Sequence, residues 1–130
     1  MRLGKSKLGS LVFLAISVLF AGAMLAGCAE TQITGAPVDH ARLRDGIYDG
    51  SARGGPNKAS VQVTIRNSNI VKIDIIDHQA WRGGIAEETV IARIIASQST
   101  RVDAVSGATN SSRVIMNAVQ NAIEKAYINN

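Results

Sequence analysis

Two stretches in the middle of the chain alternate apolar and polar residues, as half-buried β-strands do. Their apolar positions are Val61, Val63 and Ile65 in the first stretch, and Val71, Ile73 and Ile75 in the second. The segment Asn67-Ser68-Asn69 between them tolerates positive φ angles, so the pattern predicts an antiparallel hairpin with a tight turn. A brief extended piece between Asp45 and Gly50 predicts a strand before this hairpin.

Two helices are predicted next, because the apolar spacing lengthens from two residues to three or four. The first runs from about Ala86 to Gln98, with Val90, Ile91, Ile94 and Ile95 as its apolar positions. The last helix carries two apolar rows, Ile115, Val119 and Ile123 beside Val114, Ala118, Ala122 and Ala126. Ser111 or Asn110 is predicted as its N-cap. Strands followed by helices predict an α+β fold, in which a small antiparallel β-sheet packs against two C-terminal helices.

The beginning of the chain has the pattern of a targeting segment. Three basic residues precede an apolar run from Leu11 to Leu25, which ends in Leu25-Ala26-Gly27-Cys28. This resembles a bacterial lipoprotein signal peptide that is cleaved before Cys28 and lipidated on its thiol. The alternative is a transmembrane helix, since the run from Leu8 to Ala26 carries no charge. Three regions are therefore predicted: a signal peptide at 1–27, the lipidated cysteine with a flexible tether at 28–43, and one domain at 44–130.

Charge and cysteine content narrow the classes of function. The chain holds 14 Lys and Arg against 10 Asp and Glu, and residues 1–27 contain three of the basic residues and none of the acidic ones. The remainder has a net charge of only +1 and no basic patch with aromatic residues, so nucleic acid is not expected as a partner. A single cysteine makes no internal disulfide, zinc cluster or Cys-x-x-Cys redox pair.

The segment Asp103-Ala104-Val105-Ser106-Gly107-Ala108-Thr109 carries the strongest chemical signal. It places a threonine hydroxyl on a turn of small residues just before the last helix. A helix start offers unpaired N–H groups and the positive end of the helix dipole, which suit a phosphate. The alternative interpretation is a helix-entry turn without a ligand.

This segment matches the flavinylation motif of the FMN-binding domain family, Asp-x-x-Ser/Thr-Gly-Ala-Thr/Ser, at each specified position. The resemblance extends from about Arg44 to Tyr127 and includes Asp45-Gly46-x-Tyr48-x-Gly50, the alternating strands and the run from Gln98 to Thr109. Related domains occur in the Nqr C-subunit and the Rnf G-subunit of ion-pumping respiratory complexes, and in small lipoproteins.

The resemblance implies a covalent FMN joined to Thr109 by a phosphodiester bond, as an FMN phosphoryl threonine. A separate magnesium-dependent flavin transferase that uses FAD would attach it, since an unassisted threonine hydroxyl is a poor nucleophile. Asp103 would mark the motif or hold the turn, and Ser106 would hydrogen-bond the phosphate or cap the turn. Gly107 and Ala108 would leave room for the phosphate.

The flavin ring needs a flat wall, and the loop before the first helix offers one. Trp81 could stack on the ring, and Arg82 could stabilise negative charge on the reduced flavin. Gly83 and Gly84 belong to a glycine-containing loop that the family places near the flavin. The alternative for Trp81 is core packing or surface exposure. Tyr48 is predicted to be a core residue. His40 and His78 are too scattered for a metal site. An acid–base pair of Asp77 and His78 is a further hypothesis. Glu87 and Glu88 are expected on a solvated helix face.

The sequence therefore predicts a lipid-anchored flavoprotein on the extracytosolic face of a bacterial membrane, which passes electrons between membrane or extracytosolic redox partners. No catalytic residue is predicted. One alternative is a flavin-dependent reductase, or a reductase subunit, acting on a small acceptor. The other is a flavin-free structural or binding lipoprotein.

Overall fold

A computed structural model describes residues 31–80 and 84–127. The predicted signal peptide and the residues Cys28, Trp81, Arg82 and Gly83 lie outside the described residues. The elements are a short 3-10 helix (His40–Arg42), β1 (Gly46–Gly54), β2 (Asn57–Arg66), β3 (Asn69–Gln79), α1 (Gly84–Ser97) and α2 (Thr109–Ala126). Neither helix in these ranges is both long and apolar enough to span a bilayer.

The three strands form one antiparallel sheet in the order β1-β2-β3, and both helices follow them in the chain. Helix α2 packs across β1 and β2, while α1 lies against β3 and α2. The core lies between the sheet and α2, where Val61, Val63 and Ile65 of β2 are at most 1% exposed. The predicted α+β fold is confirmed.

Strand β3 departs from strict alternation at two bulges. Its pairing with β2 shifts register between Thr64 and Ile65 and again between Ser60 and Val61. The first shift buries Ile70 and leaves Val71 46% exposed, so the predicted inward position of Val71 is wrong. An extra residue in one strand reverses the side to which the following side chains point. The alternation of apolar and polar residues in one stretch of sequence does not show where the side chains change from one side of the sheet to the other.

The predicted turn between β2 and β3 is confirmed at Asn67 and Ser68, whose φ angles are 51° and 58°. The Asp45 carboxylate accepts hydrogen bonds from the N–H groups of both residues, at 2.8 Å and 2.9 Å. The hydrogen bond from Ser68 and then the bond from Asn67 lower the pKa of Asp45. Desolvation opposes them, and the nearby charge of Arg66 adds the smallest contribution, which also lowers the pKa. The chain before β1 thus stabilises a turn that lies beyond two strands in the sequence.

The amphipathic stripe of α2 forms much of the core. Every residue of the two predicted rows is at most 1% exposed. The helix begins at Thr109 with Ala108 as its N-cap, and no side chain caps it, so the predicted cap at Ser111 or Asn110 is wrong. Both of these residues already belong to the first turn of the helix.

Helix α1 begins two residues before the prediction and ends one residue before it. Gln98 follows at a φ of 50°, and its side-chain amide bonds both backbone groups of Ile70, at 2.8 Å and 2.9 Å. The glutamine therefore pairs with the beginning of β3 and fixes the end of α1 beside the sheet.

A flexible tether is predicted for residues 28–43, but residues 31–43 lie against the domain. Val38 and Leu43 are buried, and Leu43 forms an isolated bridge with Tyr127. The Val38 N–H donates to the Gln98 carbonyl at 3.0 Å, and the Thr100 N–H donates to the Ala36 carbonyl at 3.1 Å. We call residues 31–38 the N-terminal strap. Its hydrogen bonds to Gln98 and Thr100 reach residues that follow the whole sheet in the sequence, so local periodicity gives no sign of it.

Candidate functional site

Most of the described candidate residues, 106–109 and Gly84, lie at one end of the domain. This end contains the β1–β2 turn, the last residues of β3 and the first residues of both helices. We call it the helix-start end. The β2–β3 turn and the last residues of both helices lie at the opposite end.

Thr109 is the first residue of α2, and it is exposed. Ser106 and Gly107 form an exposed turn before it, and the Ala108 N–H closes this turn on the Val105 carbonyl at 3.0 Å. Gly107 has a φ of 81°, and a Cβ built there would meet no atom within 4 Å. The arrangement leaves the first-turn N–H groups without a side-chain cap and gives a ligand open access to them.

Ser112, which belongs to the segment that resembles the family, holds the turn, a role that the sequence did not indicate. Its hydroxyl accepts from the Val105 N–H at 3.0 Å and donates to the Ala108 carbonyl at 2.8 Å, and the residue is 0% exposed. A buried hydroxyl that bonds both sides of a turn restricts its conformation. The orientation of the Thr109 backbone thus depends on a side chain one turn further along α2.

Asp103 is held through its backbone. The Arg93 guanidinium donates to the Asp103 carbonyl at 2.7 Å and to the Ala104 carbonyl at 3.4 Å. The exposed Asp103 carboxylate lines an open groove of about 700 Å³, together with Ile33, Arg93, Ala96, Ser97, Arg101 and Val102. Within the described ranges this carboxylate accepts no hydrogen bond, so it is available to an external partner.

A partly buried chain of hydrogen bonds joins three elements beside this turn. His78 Nδ1 lies 2.7 Å from Glu87 Oε1 of α1, and His78 Nε2 lies 2.6 Å from Ser111 Oγ of α2. In the tautomer with the proton on Nδ1, His78 donates to the Glu87 carboxylate and its Nε2 accepts from the Ser111 hydroxyl. Glu88 is exposed, as expected for a solvated helix face, whereas Glu87 keeps 37% of its side chain exposed and also bonds His78.

The order Ser–His–Glu is one that activates hydroxyl nucleophiles. Ser111 is only 5% exposed, however, and the His78 side chain is 1% exposed, so a substrate has no open path to the hydroxyl. The network serves to join the starts of both helices to the end of β3. Asp77 points to the opposite face of the sheet, where it pairs with Lys58 at 3.4 Å, so the hypothetical Asp77–His78 pair does not form.

The other candidates are spread over the domain. Gly84 is exposed at the start of α1 with open space around it, which places it at the helix-start end. Tyr48 packs against the core, and its hydroxyl donates to the Arg44 carbonyl at 3.2 Å. His40 Nδ1 contacts the Ser68 carbonyl at the opposite end. Among the described residues no group of three acidic, histidine or cysteine side chains could hold a metal ion.

The model of the FMN-binding domain family matches residues 54–124, which is more than half of the chain. The chain belongs to the FMN-binding domain family. It is also similar to an uncharacterised protein of Treponema pallidum (strain Nichols), with 36% identity over 91 residues, and to an NADH:acrylate oxidoreductase of Vibrio harveyi, with 31% identity over 88 residues. Each match covers 65% of this chain, but 24% of the first relative and 9% of the second, so this flavoprotein corresponds to a small part of either one.

The residues at the helix-start end fit an FMN phosphate. Thr109 offers an exposed hydroxyl, the first turn of α2 offers uncapped N–H groups, and Gly107 adds no side chain that would block them. When bound, the flavin supplies one- and two-electron chemistry that the amino acids of this domain lack. Thr109 as the attachment residue, with Ser106, Ala108 and Asp103 as its supporting residues, stays a prediction.

Proposed function

We propose that this FMN-binding protein is a lipid-anchored, extracytosolic electron carrier whose FMN is bound covalently to Thr109. The observation that carries the proposal is an exposed Thr109 hydroxyl on an uncapped helix start, beside the open turn at Gly107. Family membership supports the cofactor. The segment Leu25-Ala26-Gly27-Cys28 supports lipidation of Cys28 and export.

Flavin attachment requires an external flavin transferase in this proposal. The one histidine near the site, His78, is bonded to Glu87 and Ser111, and no side chain in the described ranges hydrogen-bonds the Thr109 hydroxyl to remove its proton. The transferase would supply the base and the magnesium ion, with FAD as the FMN donor. The exposed Asp103 carboxylate is available for its recognition of the motif.

Covalent attachment suits the proposed location. Outside the cytoplasm a dissociated cofactor would be diluted, whereas a covalently bound flavin stays with the domain. The protein would then accept electrons from one redox partner at the membrane and pass them to another.

A second candidate function is a reductase, or a reductase subunit, that acts on a small acceptor. The similarity to the NADH:acrylate oxidoreductase favours it, although the match covers 9% of that protein. Sustained turnover of such an acceptor by the purified flavinylated domain with a chemical reductant would favour the reductase over the carrier.

The proposal predicts that Thr109→Ala abolishes covalent flavin while Thr109→Ser retains it, because serine keeps the hydroxyl. Each variant is co-expressed with an active flavin transferase and exported. Mass spectrometry then measures FMN less one water on the peptide containing residue 109 and acyl chains on the Cys28 peptide. Since Thr109 is exposed, both variants should keep the wild-type free energy of unfolding within about 0.5 kcal/mol.

Flavin retained by Thr109→Ala would place the attachment elsewhere. An unmodified wild-type Thr109, with the transferase active on another substrate, would favour the flavin-free structural or binding lipoprotein.

A further inference from the structure

The N-terminal strap determines where the proposed lipid anchor leaves the domain. The C-terminal end of the strap lies beside the end of α1, where Val38 bonds Gln98. From there, toward its N-terminus, the strap runs back along α2. At its other end the Thr31 carbonyl accepts from Arg113 Nη1 at 3.4 Å. Thr31 also lies against Gly54 beside the β1–β2 turn, so closely that a Cβ on Gly54 would be 2.2 Å from the threonine hydroxyl oxygen. The strap therefore ends at the helix-start end.

The hydrogen bond with Arg113 places the Thr31 carbonyl beside the first turns of α2. Arg113 follows Thr109 by four residues, so the two share one face of α2 and are separated by about 6 Å along its axis. Side chains on a helix lean toward its N-terminus, which directs Arg113 toward the turn that contains Thr109. The carbonyl of Thr31 is bonded to this arginine.

Cys28 precedes Thr31 by three residues, a length of chain that spans at most about 11 Å. Helix α2 has 18 residues and is about 27 Å long. The anchor is therefore confined to the half of the molecule that contains Thr109, and it is too short to reach past α2 to the opposite end.

The strap is held by partly buried hydrogen bonds and does not depend on the anchor for its position. The Asn117 side chain accepts from the Thr34 N–H at 3.0 Å and donates to the Gln32 carbonyl at 2.7 Å. The Thr100 hydroxyl, which is 0% exposed, accepts from the Ala36 N–H at 3.0 Å and donates to Gln120 Oε1 at 2.5 Å. These bonds connect the strap to α2 and to the segment that precedes the flavinylation motif.

We propose that the helix-start end faces the phospholipid bilayer, so that the flavin on Thr109 lies next to the membrane and its redox partner is held in that membrane. This inference rests on the proposed function, since it requires the lipid on Cys28. Ile85, at the start of α1, is 61% exposed at the same end and adds an apolar contact for the interface. A partner in the aqueous phase would instead need the flavin to point away from the bilayer.

The orientation can be measured on the lipidated, flavinylated full chain in phosphatidylcholine–phosphatidylglycerol vesicles that contain a headgroup-nitroxide lipid. A fluorophore is placed on Asn110→Cys at the helix-start end, or on Ala41→Cys in the 3-10 helix at the opposite end; both positions are exposed. Emission is compared with vesicles that lack the nitroxide, which cancels quenching by the flavin. Because the two labels are separated by about the length of α2, we expect nitroxide quenching at residue 110 to exceed that at residue 41 by at least about threefold.

The matched control inserts about twenty Gly and Ser residues between Glu30 and Thr31, which keeps the strap but frees the domain from the anchor. We expect the quenching ratio to fall toward one. If the ratio of quenching at residue 110 to quenching at residue 41 is unchanged by the insertion, the strap does not cause the orientation. Equal quenching in the parent protein, or stronger quenching at residue 41, would overturn the orientation itself.

Mass spectra of the same samples separate this inference from the proposed function. A missing acyl group on Cys28 would overturn the anchored function, and the orientation with it. With both the acyl group on Cys28 and the FMN on Thr109 present, quenching at residue 110 that does not exceed quenching at residue 41 would overturn the orientation alone.

Discussion

The His78 side chain points into the domain because β3 contains one extra residue. The second bulge turns His78 toward the helices and Asp77 toward the outer face, although the two residues are adjacent. His78 then contacts Glu87 and Ser111, which lie in the first turns of α1 and α2. A single backbone irregularity thus selects the side chain that connects the two helix starts.

We predict that His78→Ala lowers the free energy of unfolding by about 1–3 kcal/mol, because it leaves Ser111 and Glu87 without their buried partner. Asp77→Ala is the matched control, and it should cost less than about 1 kcal/mol, since it removes only a partly exposed ion pair with Lys58. Urea unfolding of both variants measures the difference. Equal losses would show that the inward network contributes no more than a surface pair.

The residues that could be predicted at this scale are those with local signatures. The motif ending at Thr109 and the turn at Asn67 and Ser68 each depend on residues adjacent in the chain. Ser112 could not be assigned, because a serine inside a helical pattern gives no sign that its hydroxyl bonds back to Val105.

At the scale of elements, β1 and α2 pack almost backbone to backbone. Gly50 is buried at their contact, and a Cβ there would lie 2.1 Å from the Ala118 carbonyl oxygen and 2.6 Å from the Ala122 nitrogen. The small residues on α2 and the glycine on β1 are therefore complementary. Asn121 and Lys125, one turn apart on α2, donate to the Ser51 and Asp49 carbonyls of β1. These two bonds also protect an edge strand of the sheet.

We expect Gly50→Ala to lower the free energy of unfolding by about 1–3 kcal/mol, because helix and strand must separate to admit the methyl group. Gly84→Ala is the control. Its Cβ would meet no atom within 4 Å at the start of α1, so stability should stay unchanged or rise by up to about 1 kcal/mol. Thermal unfolding of the two variants compares them directly. A Gly50→Ala protein as stable as the parent would contradict the close contact.

The α2 stripe and the β2 alternation could be predicted because each follows from one period, 3.6 or two residues, along a single element. The phase of β3 could not be predicted. Both Val71 and Ile76 fall at shifts of register that depend on how β2 pairs with β3, and both stay exposed.

At the scale of the whole molecule, the N-terminal strap connects the two ends of the domain. It runs from the end of α1 to the start of α2 and replaces the flexible tether that composition favoured. Its polar groups find partners on α2 and on the segment after α1, so it lies along the surface without joining the sheet. The domain therefore extends closer to Cys28 than its sequence pattern indicates.

Asn117→Ala should release the strap, because the Asn117 amide bonds both Thr34 and Gln32. We expect a loss of about 1–3 kcal/mol in the free energy of unfolding and faster hydrogen exchange at the Thr34 amide. Asn110→Ala, on the exposed side of the first turn, should change neither quantity. Unaltered exchange at Thr34 in the Asn117 variant would mean that other contacts hold the strap.

The α+β class, the elements of the core and the match to the flavinylation motif, with its predicted threonine, could be read from the chain alone. Each of these depends on neighbours a few residues apart, whose spacing is visible in the chain. The sides to which the β3 residues point, the contact of His78 with Ser111 and the course of the strap became apparent only in the folded domain. These depend on pairings between residues that are distant in the sequence, which are chosen by packing and by the hydrogen bonds available in the folded domain.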